Sequence, residues 1–402
     1  MSSIVDEVFG RFLESKIFAN REFLRPEYIP DELPHREEQI SRLASALAPI
    51  LRGERGSNVF IYGLTGTGKT VVTKFVVRKL HSRAVSLKLK FGYAYVNCRQ
   101  SDTPYRVFAD LAESVGVKVP FTGLSTAEVF RRFLRGLKAN YSSFLVVLDE
   151  VDYLVKKYGD DVLYRIVRIG ETIPSIKISV IGITNDINLV ESLDMRIRSS
   201  LGEVEIVFPP YNAEQLKDIL QRRAEKAFNP NALDEGVIEL CAALAAREHG
   251  DARRALDLLR IAGEIAEREG AKKVTIGHVY KAREEIERDR VRELVYTMPL
   301  HAKLVLLAIY SMSMDKGYTI TGEVYNQYTK FCKTIRVEQV TRRRVSDIIS
   351  ELDMLGLIQS KVVSRGRYGK TRIIRPVVKP DIVLKTLESD IRLEKIVKSI
   401  RI

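Results

Sequence analysis

Short apolar runs alternate with helical patterns through the middle of the chain. Five such runs lie at residues 58–62, 93–97, 144–148, 178–183 and 205–208. They are rich in β-branched and aromatic residues and are shorter than a typical helix. Strands that are buried on both faces read as continuous apolar runs. The pattern therefore predicts a parallel sheet with helices on both of its faces.

The segments that flank this region are helical. A proline-punctuated stretch precedes a periodic helix predicted over residues 36–51. Pro210 breaks the chain after the last apolar run. Asn212 and Gln215 then have the spacing of an N-cap and its reciprocal partner, which predicts a new helix. The helical pattern continues to about residue 290 and indicates a small helical bundle.

The last quarter of the chain has a different pattern. Helical stretches near residues 300–314, 321–332 and 338–355 precede two short β-like runs at 357–364 and 371–378. The two runs are separated by a turn that contains two glycines. Three helices and a hairpin predict a winged helix. The predicted fold class is α/β, and the predicted domains are an α/β domain (1–210), a helical lid (211–290) and a winged-helix domain (291–402).

The excess positive charge is concentrated in the last of these domains. The chain has 65 Lys and Arg residues against 52 Asp and Glu residues, for a net charge of +13. Residues 291–402 account for +10 of it, and residues 359–380 hold seven basic residues and no acidic one. A localised basic patch predicts a polyanion as partner, although a charge run can also be a solvated surface.

The remaining composition favours a cytoplasmic globular protein. The longest apolar runs, such as 144–148, are far below the ~20 residues that a membrane span needs, so no membrane association is expected. The N-terminal segment carries Asp6, Glu7 and Glu14 and lacks the apolar core of a secretory signal. The three cysteines form no C-x-x-C pair and no disulfide framework.

A phosphate-binding motif follows the first predicted strand and precedes a helical run. It has the pattern G-x-x-x-x-G-K-[ST] and consists of Gly63, Leu64, Thr65, Gly66, Thr67, Gly68, Lys69 and Thr70. The glycines allow backbone N–H groups to surround phosphate oxygens, and the helix N-terminus adds partial positive charge. Lys69 is expected to reach the β- and γ-phosphates, and the Thr70 hydroxyl to ligate Mg²⁺.

Two acids close the third predicted strand. The apolar run at 144–148 carries Asp149 and Glu150 to the C-terminal edge of the sheet, where ligands bind in open α/β folds. We expect Asp149 to hold Mg²⁺ through its water shell and Glu150 to polarise the attacking water. Together with the phosphate loop, the pair predicts hydrolysis of a nucleoside triphosphate.

These residues resemble a known family. The Asp149–Glu150 pair, the segment 183–186 (Ile-Thr-Asn-Asp) and the segment 250–255 (Gly-Asp-Ala-Arg-Arg-Ala) look like an AAA+ ATPase. With a winged helix added, residues 10–380 resemble the archaeal replication initiators related to the eukaryotic origin recognition complex and its Cdc loader. The resemblance implies ATP and ADP as ligands, slow ATP hydrolysis that acts as a switch, and double-stranded origin DNA as a partner.

The resemblance also assigns roles to single residues. Asn185 matches the polar sensor of the γ-phosphate, although it could be a turn residue. Arg253 matches the lid arginine that reaches back to the nucleotide, with adjacent Arg254 as a competitor. Arg196 matches the arginine finger that serves a neighbouring subunit, and Arg198 is an alternative.

Two further segments resemble ligand-contacting parts of the family. Tyr28, Ile29 and Pro30 resemble the adenine pocket, and the choice of adenine over guanine depends on the resemblance alone. An insertion of two predicted helices precedes residue 144, where these initiators carry an extra helical wedge that touches DNA. Lys118 and Thr122, in the loop between the two helices, are the candidate DNA contacts.

The predicted third helix of the winged domain has the layout of a recognition helix. Val345, Ile348, Ile349, Leu352 and Leu355 form one apolar stripe. At ~100° per residue, Arg343 and Ser346 fall on the opposite face with Gln339 nearby, and Arg342 and Arg344 flank the stripe. An arginine on such a face can make a bidentate contact to guanine. The alternative is a solvated helix face.

The predicted hairpin supplies a basic tip. Arg365, Arg367 and Lys370 lie in or beside the glycine turn, where a wing can enter the minor groove. Each phosphate contact contributes about 0.9 to the salt slope of DNA binding.

The leading hypothesis is an ATP-switched initiator that binds origin DNA and works with other initiator subunits or paralogues. Helicase loading is a role that such initiators share, and no residue isolates it. A second hypothesis is an AAA+ winged-helix DNA motor of the branch-migration type, and a third is a nucleotide-responsive transcription regulator. The insertion and the proline-punctuated N-terminal stretch argue against the motor, and the regulator lacks a spare effector region.

Overall fold

A computed structural model describes residues 15–314, 316–364 and 370–400, without the side chains of Val190, Ser364 and Lys370. The chain divides after Tyr280 into two compact units. The long helix Ile276–Thr297 contains this division and also the predicted boundary after residue 290. No helix formed by the described residues is long and apolar enough to cross a membrane.

The first unit contains the predicted parallel sheet, which is confirmed. Its strands are β1 (Val59–Tyr62), β2 (Phe91–Asn97), β3 (Ser143–Asp149), β4 (Lys177–Thr184) and β5 (Val204–Val207). They have the order β2-β3-β4-β1-β5 in the sheet, and every pairing is parallel. Every residue of β3 is buried, as its uninterrupted apolar run predicts.

Helices cover both faces of this sheet. On one face, Glu37–Leu47 and Lys69–Ser86 pack on a core that includes Val59, Leu145 and Ile181. The other face is covered by Pro104–Ser114, Thr126–Asn140, Val151–Tyr158, Asp161–Val167, Ile169–Thr172, Leu189–Ser192 and Met195–Leu201. The predicted helix over 36–51 ends at Leu47 and continues as the 3₁₀ helix Ala48–Arg52, because Pro49 has no N–H to donate.

The lid consists of the helices Ala213–Ala227, Val237–Arg247 and Ala252–Arg268. The predicted capping pair is confirmed, because Gln215 N donates to Asn212 Oδ1 at 2.8 Å and Asn212 N donates to Gln215 Oε1 at 3.1 Å. The segment before the 3₁₀ helix Arg21–Leu24 packs on the lid, where Phe18 stacks on Phe228 with ring centroids 4.8 Å apart.

The second unit is the predicted winged helix. Its helices are Leu300–Ser313, Thr321–Thr334, Arg342–Met354, Pro380–Glu388 and Glu394–Ile400, besides the end of Ile276–Thr297. The strands β7 (Ile358–Ser364) and β8 (Lys370–Pro376) form the predicted hairpin. A two-residue strand that the sequence pattern did not reveal, β6 (Thr319–Ile320), extends it to an antiparallel sheet of order β6-β8-β7.

The third predicted helix of the winged-helix unit begins later than the sequence pattern predicts. It starts at Arg342, because the Thr341 hydroxyl accepts from Arg344 N and caps the helix. Val340 N donates to the Tyr328 hydroxyl at 3.0 Å. The backbone just before Arg342 therefore makes a hydrogen bond to a side chain and does not belong to the helix. Gln339, predicted near the front of the helix, therefore lies on an exposed segment before it.

Candidate functional site

The phosphate loop joins β1 to the helix Lys69–Ser86 and opens onto a cavity of about 850 Å³. Gly68 occupies the N-cap position with φ +92°, a left-handed conformation that glycine adopts readily. A Cβ atom at Gly68 would lie 2.8 Å from the Tyr211 hydroxyl, so this position also needs the space. Thr65 to Thr70 line the cavity, where the free N–H groups of a helix N-terminus suit phosphate.

Lys69 is buried at the start of this helix. Its Nζ donates to the carbonyl oxygens of Gly63 at 2.7 Å and Leu64 at 2.6 Å. Burial lowers the pKa of Lys69 to about 8, the nearby Asp149 carboxylate opposes this shift, and the charge of Arg253 adds to it. The lysine is therefore held within the loop by neutral carbonyls, which a phosphate group would replace with full negative charge.

The Asp149 carboxylate lies next to Thr70. Asp149 Oδ2 accepts hydrogen bonds from Thr70 Oγ1 at 2.8 Å and from the Tyr95 hydroxyl, and Oδ1 accepts from Glu150 N at 3.0 Å. Burial, followed by the Asp149 charge, raises the pKa of Tyr95. A hydroxyl and a carboxylate that converge at the phosphate end of the cavity are oxygen ligands of the kind Mg²⁺ prefers. The residues present therefore fit the metal that the fold implies.

Glu150 follows directly and has a strained backbone. Its φ of +54° is in the left-handed region, which is costly for a residue with a Cβ atom. This conformation ends β3 and begins the helix Val151–Tyr158, and it leaves Glu150 among the residues that line the cavity.

Asn185 lies at the end of β4, next to β3 in the sheet. Asp152 Oδ1 accepts from Thr184 Oγ1 at 2.9 Å and from Asn185 N at 3.4 Å. Asn185 also lines the cavity. The helix that follows Glu150 thus carries a carboxylate that ties down the segment bearing Asn185.

The lid contributes Arg253 to the same cavity. Asp251 caps the helix Ala252–Arg268 by accepting from Arg253 N at 2.8 Å, and Ala252 N donates to the Gly66 carbonyl at 3.1 Å. Arg253 lines the cavity, whereas Arg254 Nε donates to Glu248 at 2.8 Å. Of the two predicted candidates, Arg253 is the one that lies at the cavity.

The predicted base pocket lines the same cavity. Tyr28, Ile29 and Pro30 are half-buried and line it together with lid residues. Arg223 Nη2 donates to the Tyr28 carbonyl at 3.2 Å, and its guanidinium carbon lies 4.7 Å from the centroid of the Tyr28 ring. The lid therefore holds the segment that carries the predicted pocket.

Sequence reasoning missed the buried Arg36. Its Nε donates to the Thr67 carbonyl at 2.9 Å, and its Nη2 donates to the Pro209 carbonyl at 2.6 Å. The guanidinium carbon also lies 3.7 Å from the Tyr211 ring centroid. Arg36 thus joins the phosphate loop to the segment that leads into the lid. Nothing in the sequence around Arg36 marks it as a buried residue.

Arg196 is outside the cavity. Its side chain is 70% exposed and pairs with Asp194, with Nε 3.0 Å from Oδ1. The guanidinium also lies over the Tyr164 ring, and Arg198 on the same helix is exposed. Arg196 is therefore an exposed surface residue and is not among those that line the cavity.

The insertion loop is exposed at its tip. Lys118 and Thr122 are exposed, and Phe121 between them has 99% of its surface accessible. The flanking helices Pro104–Ser114 and Thr126–Asn140 pack on the sheet face opposite to Lys69–Ser86. The candidate DNA contacts of this unit and its phosphate-loop helix therefore belong to opposite layers of the fold.

The helix Arg342–Met354 buries Val345, Ile348, Ile349 and Leu352 of its predicted apolar stripe and exposes its arginines. The fifth predicted member, Leu355, is the C-cap and is 42% exposed, because the helix ends one residue before it. Arg344 Nη1 lies 2.8 Å from Glu351 Oε1, and Arg342 lies over the Tyr325 ring. Arg343 is exposed, and no hydrogen bond or ion pair of its side chain is found among the described residues. Arg343 is thus available to an external ligand.

Ser346 is less accessible than predicted. It is half-buried, and its carbonyl oxygen lies 3.5 Å from Arg372 Nη1, which also donates to Ser350 Oγ at 2.6 Å. Arg372 comes from β8, so its position next to the helix was not readable from the local sequence. Arg365 and Arg367 lie outside the described residues, as does the side chain of Lys370.

Three protein-family models match successive parts of the chain. They are an AAA domain over residues 52–188, a Cdc6 AAA+ ATPase-type lid domain over 217–284, and a CDC6 C-terminal winged helix domain over 293–386.

Similar proteins match nearly the whole chain. The ORC1-type DNA replication protein 1 of Sulfurisphaera tokodaii is 60% identical over 388 residues, which cover 96% of this chain and 97% of that protein. The protein of the same name from Aeropyrum pernix is 58% identical over 370 residues, or 92% of this chain and 94% of that protein. The structure of the Aeropyrum pernix ORC1 protein in complex with DNA is 55% identical with a TM-score of 0.86, and the match covers 95% of this chain and 100% of that chain.

Proposed function

The chain belongs to the ORC1-type DNA replication proteins of archaea, which are initiators with an AAA+ domain, and we propose that it is an ATP-switched reader of double-stranded origin DNA. The observation that carries this proposal is the convergence on one cavity of four separate parts of the chain. These are the phosphate loop, the two acids at the end of β3, Asn185 after β4 and Arg253 from the lid.

The cavity supports binding and hydrolysis of ATP. Lys69 would exchange its carbonyl partners for the β- and γ-phosphates. Thr70 and Asp149 would hold Mg²⁺, which supplies charge neutralisation at the phosphates. Glu150 also lines the cavity and would accept the proton of the attacking water, while Asn185 would orient that water.

A slow reaction is expected from an isolated subunit. Arg196 faces outward and pairs with Asp194, so it would act on the nucleotide of a neighbouring initiator subunit or paralogue. An arginine supplied by a neighbour raises the rate of phosphoryl transfer by several orders of magnitude. Without that neighbour, hydrolysis would serve to change the state of the protein rather than to drive continuous movement.

The lid gives the nucleotide a means to change that state. The Ala252 N–H donates to the Gly66 carbonyl of the phosphate loop, and Arg253 lines the cavity beside it. Arg36 joins the loop to the segment leading into the lid. The number of phosphates bound would therefore alter the contact between loop and lid, because each phosphate removes charge repulsion between Lys69 and Arg253.

DNA recognition would use both units. The exposed face of Arg342–Met354, led by Arg343, has the charge and accessibility of a major-groove reader, and the wing residues Arg365, Arg367 and Lys370 would contact the backbone. Lys118 and Thr122 would add a second contact. Loading of the replicative helicase is a further role that we propose from the family alone.

One experiment tests this function. Binding of the full chain to a set of genomic fragments is compared for wild type, Lys69→Ala and Arg343→Ala. We expect a few preferred fragments for wild type, loss of that preference with Arg343→Ala, and largely retained preference with Lys69→Ala, which should fail to bind ATP. Equal binding of wild type to all fragments would contradict the proposal and favour a sequence-independent motor.

A further inference from the structure

Tyr95 lies beside the acids of the nucleotide site, although it belongs to a different strand. In the sheet, Tyr95 of β2 is paired with Val147 of β3, two residues before Asp149. Residues two apart on a strand point to the same face of the sheet. Tyr95 and Asp149 therefore share a face and are diagonal neighbours, and the Tyr95 hydroxyl donates to Asp149 Oδ2.

The Asp149 carboxylate has three donors in fixed directions. Glu150 N holds Oδ1, and Thr70 Oγ1 and the Tyr95 hydroxyl both reach Oδ2. Asp149 itself is only 4% exposed, so water does not replace a missing donor freely. Thr70 belongs to the phosphate loop and Glu150 to the acid pair itself, whereas Tyr95 comes from outside both.

The Tyr95 ring is also fixed. It packs in the core between the sheet and the helix Lys69–Ser86, and Lys74 Nζ lies 4.6 Å from its centroid. Lys74 is on the helix that begins with Lys69 and Thr70. The hydroxyl is thus aimed at Asp149 by a ring that the phosphate-loop helix holds in place.

We propose that Tyr95 is a positioning residue whose hydroxyl fixes the Asp149 carboxylate in the orientation from which Asp149 and Thr70 bind Mg²⁺. A hydroxyl that ligates a metal through its lone pair keeps its proton, so Thr70 can remain bonded to Oδ2 while it faces the ion. Tyr95 then prevents the carboxylate from turning about its Cβ–Cγ bond. This inference rests on the proposed ATP site and adds to it a residue that makes no contact with the nucleotide.

The test measures the affinity of the full chain for a fluorescent ATP analogue, first in EDTA and then over a Mg²⁺ titration. Tyr95→Phe keeps the ring and removes only the hydroxyl. We expect its affinity in EDTA to equal that of wild type. The Mg²⁺ concentration that gives half of the gain in affinity should rise about five- to tenfold, which corresponds to one lost hydrogen bond of ordinary strength.

Tyr93→Phe is the matched control. Tyr93 lies on the same face of β2, two residues earlier. Its ring packs edge-on against the His81 ring, with ring centroids 5.2 Å apart. We expect this variant to behave as wild type in both media. Thermal unfolding without ligand checks that both variants are folded.

Two outcomes would contradict the proposed role of Tyr95 without contradicting the proposed ATP site. One is an unchanged Mg²⁺ requirement in Tyr95→Phe, and the other is an equal loss of affinity with and without Mg²⁺. A double-mutant cycle provides a second test, because Tyr95→Phe should change nothing further in an Asp149→Asn background. In contrast, a wild-type protein whose affinity for ATP does not respond to Mg²⁺ would contradict the proposed function itself.

Discussion

Asp251 of the lid lies directly against Gly66 of the phosphate loop. A Cβ atom built on Gly66 would be 1.7 Å from Asp251 Oδ1, and Ala252 N donates to the Gly66 carbonyl at 3.1 Å. Loop and lid therefore meet with no space for a side chain between them, and the cap of the Arg253 helix depends on the shape of the loop.

Gly66→Ala should separate lid and loop. We expect ATP affinity to fall at least about tenfold, the loss that follows a displacement costing ~1.4 kcal/mol, because the methyl group displaces Asp251 and with it Arg253. Isothermal titration with ATP measures the effect. Gly53→Ala is the control, since Gly53 also has a positive φ of +72° but nothing within 4 Å of its Cβ position. A similar loss of affinity in both variants would mean that backbone strain, rather than the lid contact, is responsible.

The lowered pKa of Lys69 predicts pH-dependent ATP binding. Burial lowers this pKa to about 8, against 10.5 in an unfolded chain. Above pH 8 the ligand-free site increasingly lacks the ammonium group that phosphate requires. We therefore expect ATP affinity to fall as pH rises through this range, with proton uptake on binding. Titrations in buffers of different ionisation enthalpy measure the uptake, which should vanish in Lys69→Met.

The lowered pKa of Lys69 also affects how the stability of the protein depends on pH. Between pH 8 and 10.5 the unfolded chain binds more protons at Lys69 than the folded chain does, so this group makes the free energy of unfolding rise with pH. Denaturant unfolding of the ligand-free protein should show that the free energy of unfolding rises less with pH in Lys69→Met than in wild type.

The two lid arginines should have separable roles. Arg253→Ala is expected to weaken ATP binding more than ADP binding, because Arg253 lines the cavity. The Arg254 side chain is 19% exposed and forms an ion pair with Glu248. Arg254→Ala removes this pair and should lower the stability of the fold with little effect on nucleotide affinity. Parallel measurements of nucleotide affinity and thermal unfolding test this; equal effects on affinity would contradict it.

The wing tip should contribute phosphate contacts. Replacing Arg365, Arg367 and Lys370 by alanine is expected to lower the slope of log affinity against log salt by about 2–3, at ~0.9 per contact. Lys361→Ala, on the exposed part of β7, is the comparison that changes one charge away from the tip. An unchanged slope in the triple variant would exclude the wing from contact with the DNA backbone.

The helices after residue 380 should be required for the winged unit to be stable. Leu393 is fully buried in its core, and Lys303 lies 3.0 Å from Asp390 in a largely buried pair. We expect Leu393→Ala to cost about 2–5 kcal/mol of unfolding free energy. Ile391→Ala, at a position 89% exposed, should stay within ~0.5 kcal/mol of wild type. Denaturant unfolding distinguishes the two.

Local pattern predicted most of the elements. The helix Thr126–Asn140 and the strands of the parallel sheet agree with the sequence pattern because their burial is periodic or continuous along the chain. The pattern failed at Gln339, where a threonine cap and the hydroxyl of distant Tyr328 decide where the helix begins. It also failed at β6, since two residues carry no periodicity.

The nucleotide site was predictable to the extent that it consists of local motifs. Gly63 to Thr70 and the pair after β3 carry their chemistry in consecutive residues. Tyr95, Arg36 and Arg372 instead contact residues that are far away in the sequence and that the fold or the strand register brings close. The residues next to each of them in the sequence give no sign of these contacts. Their contacts became visible only in the folded chain.

The insertion leaves the sheet from β2, one of its two edge strands, and returns into β3. Its exposed tip, with Lys118, Phe121 and Thr122, is therefore free to drift in evolution without disturbing the strands that carry Asp149 and Asn185. Related proteins could therefore change the proposed DNA contact at this tip while keeping their ATP chemistry unchanged.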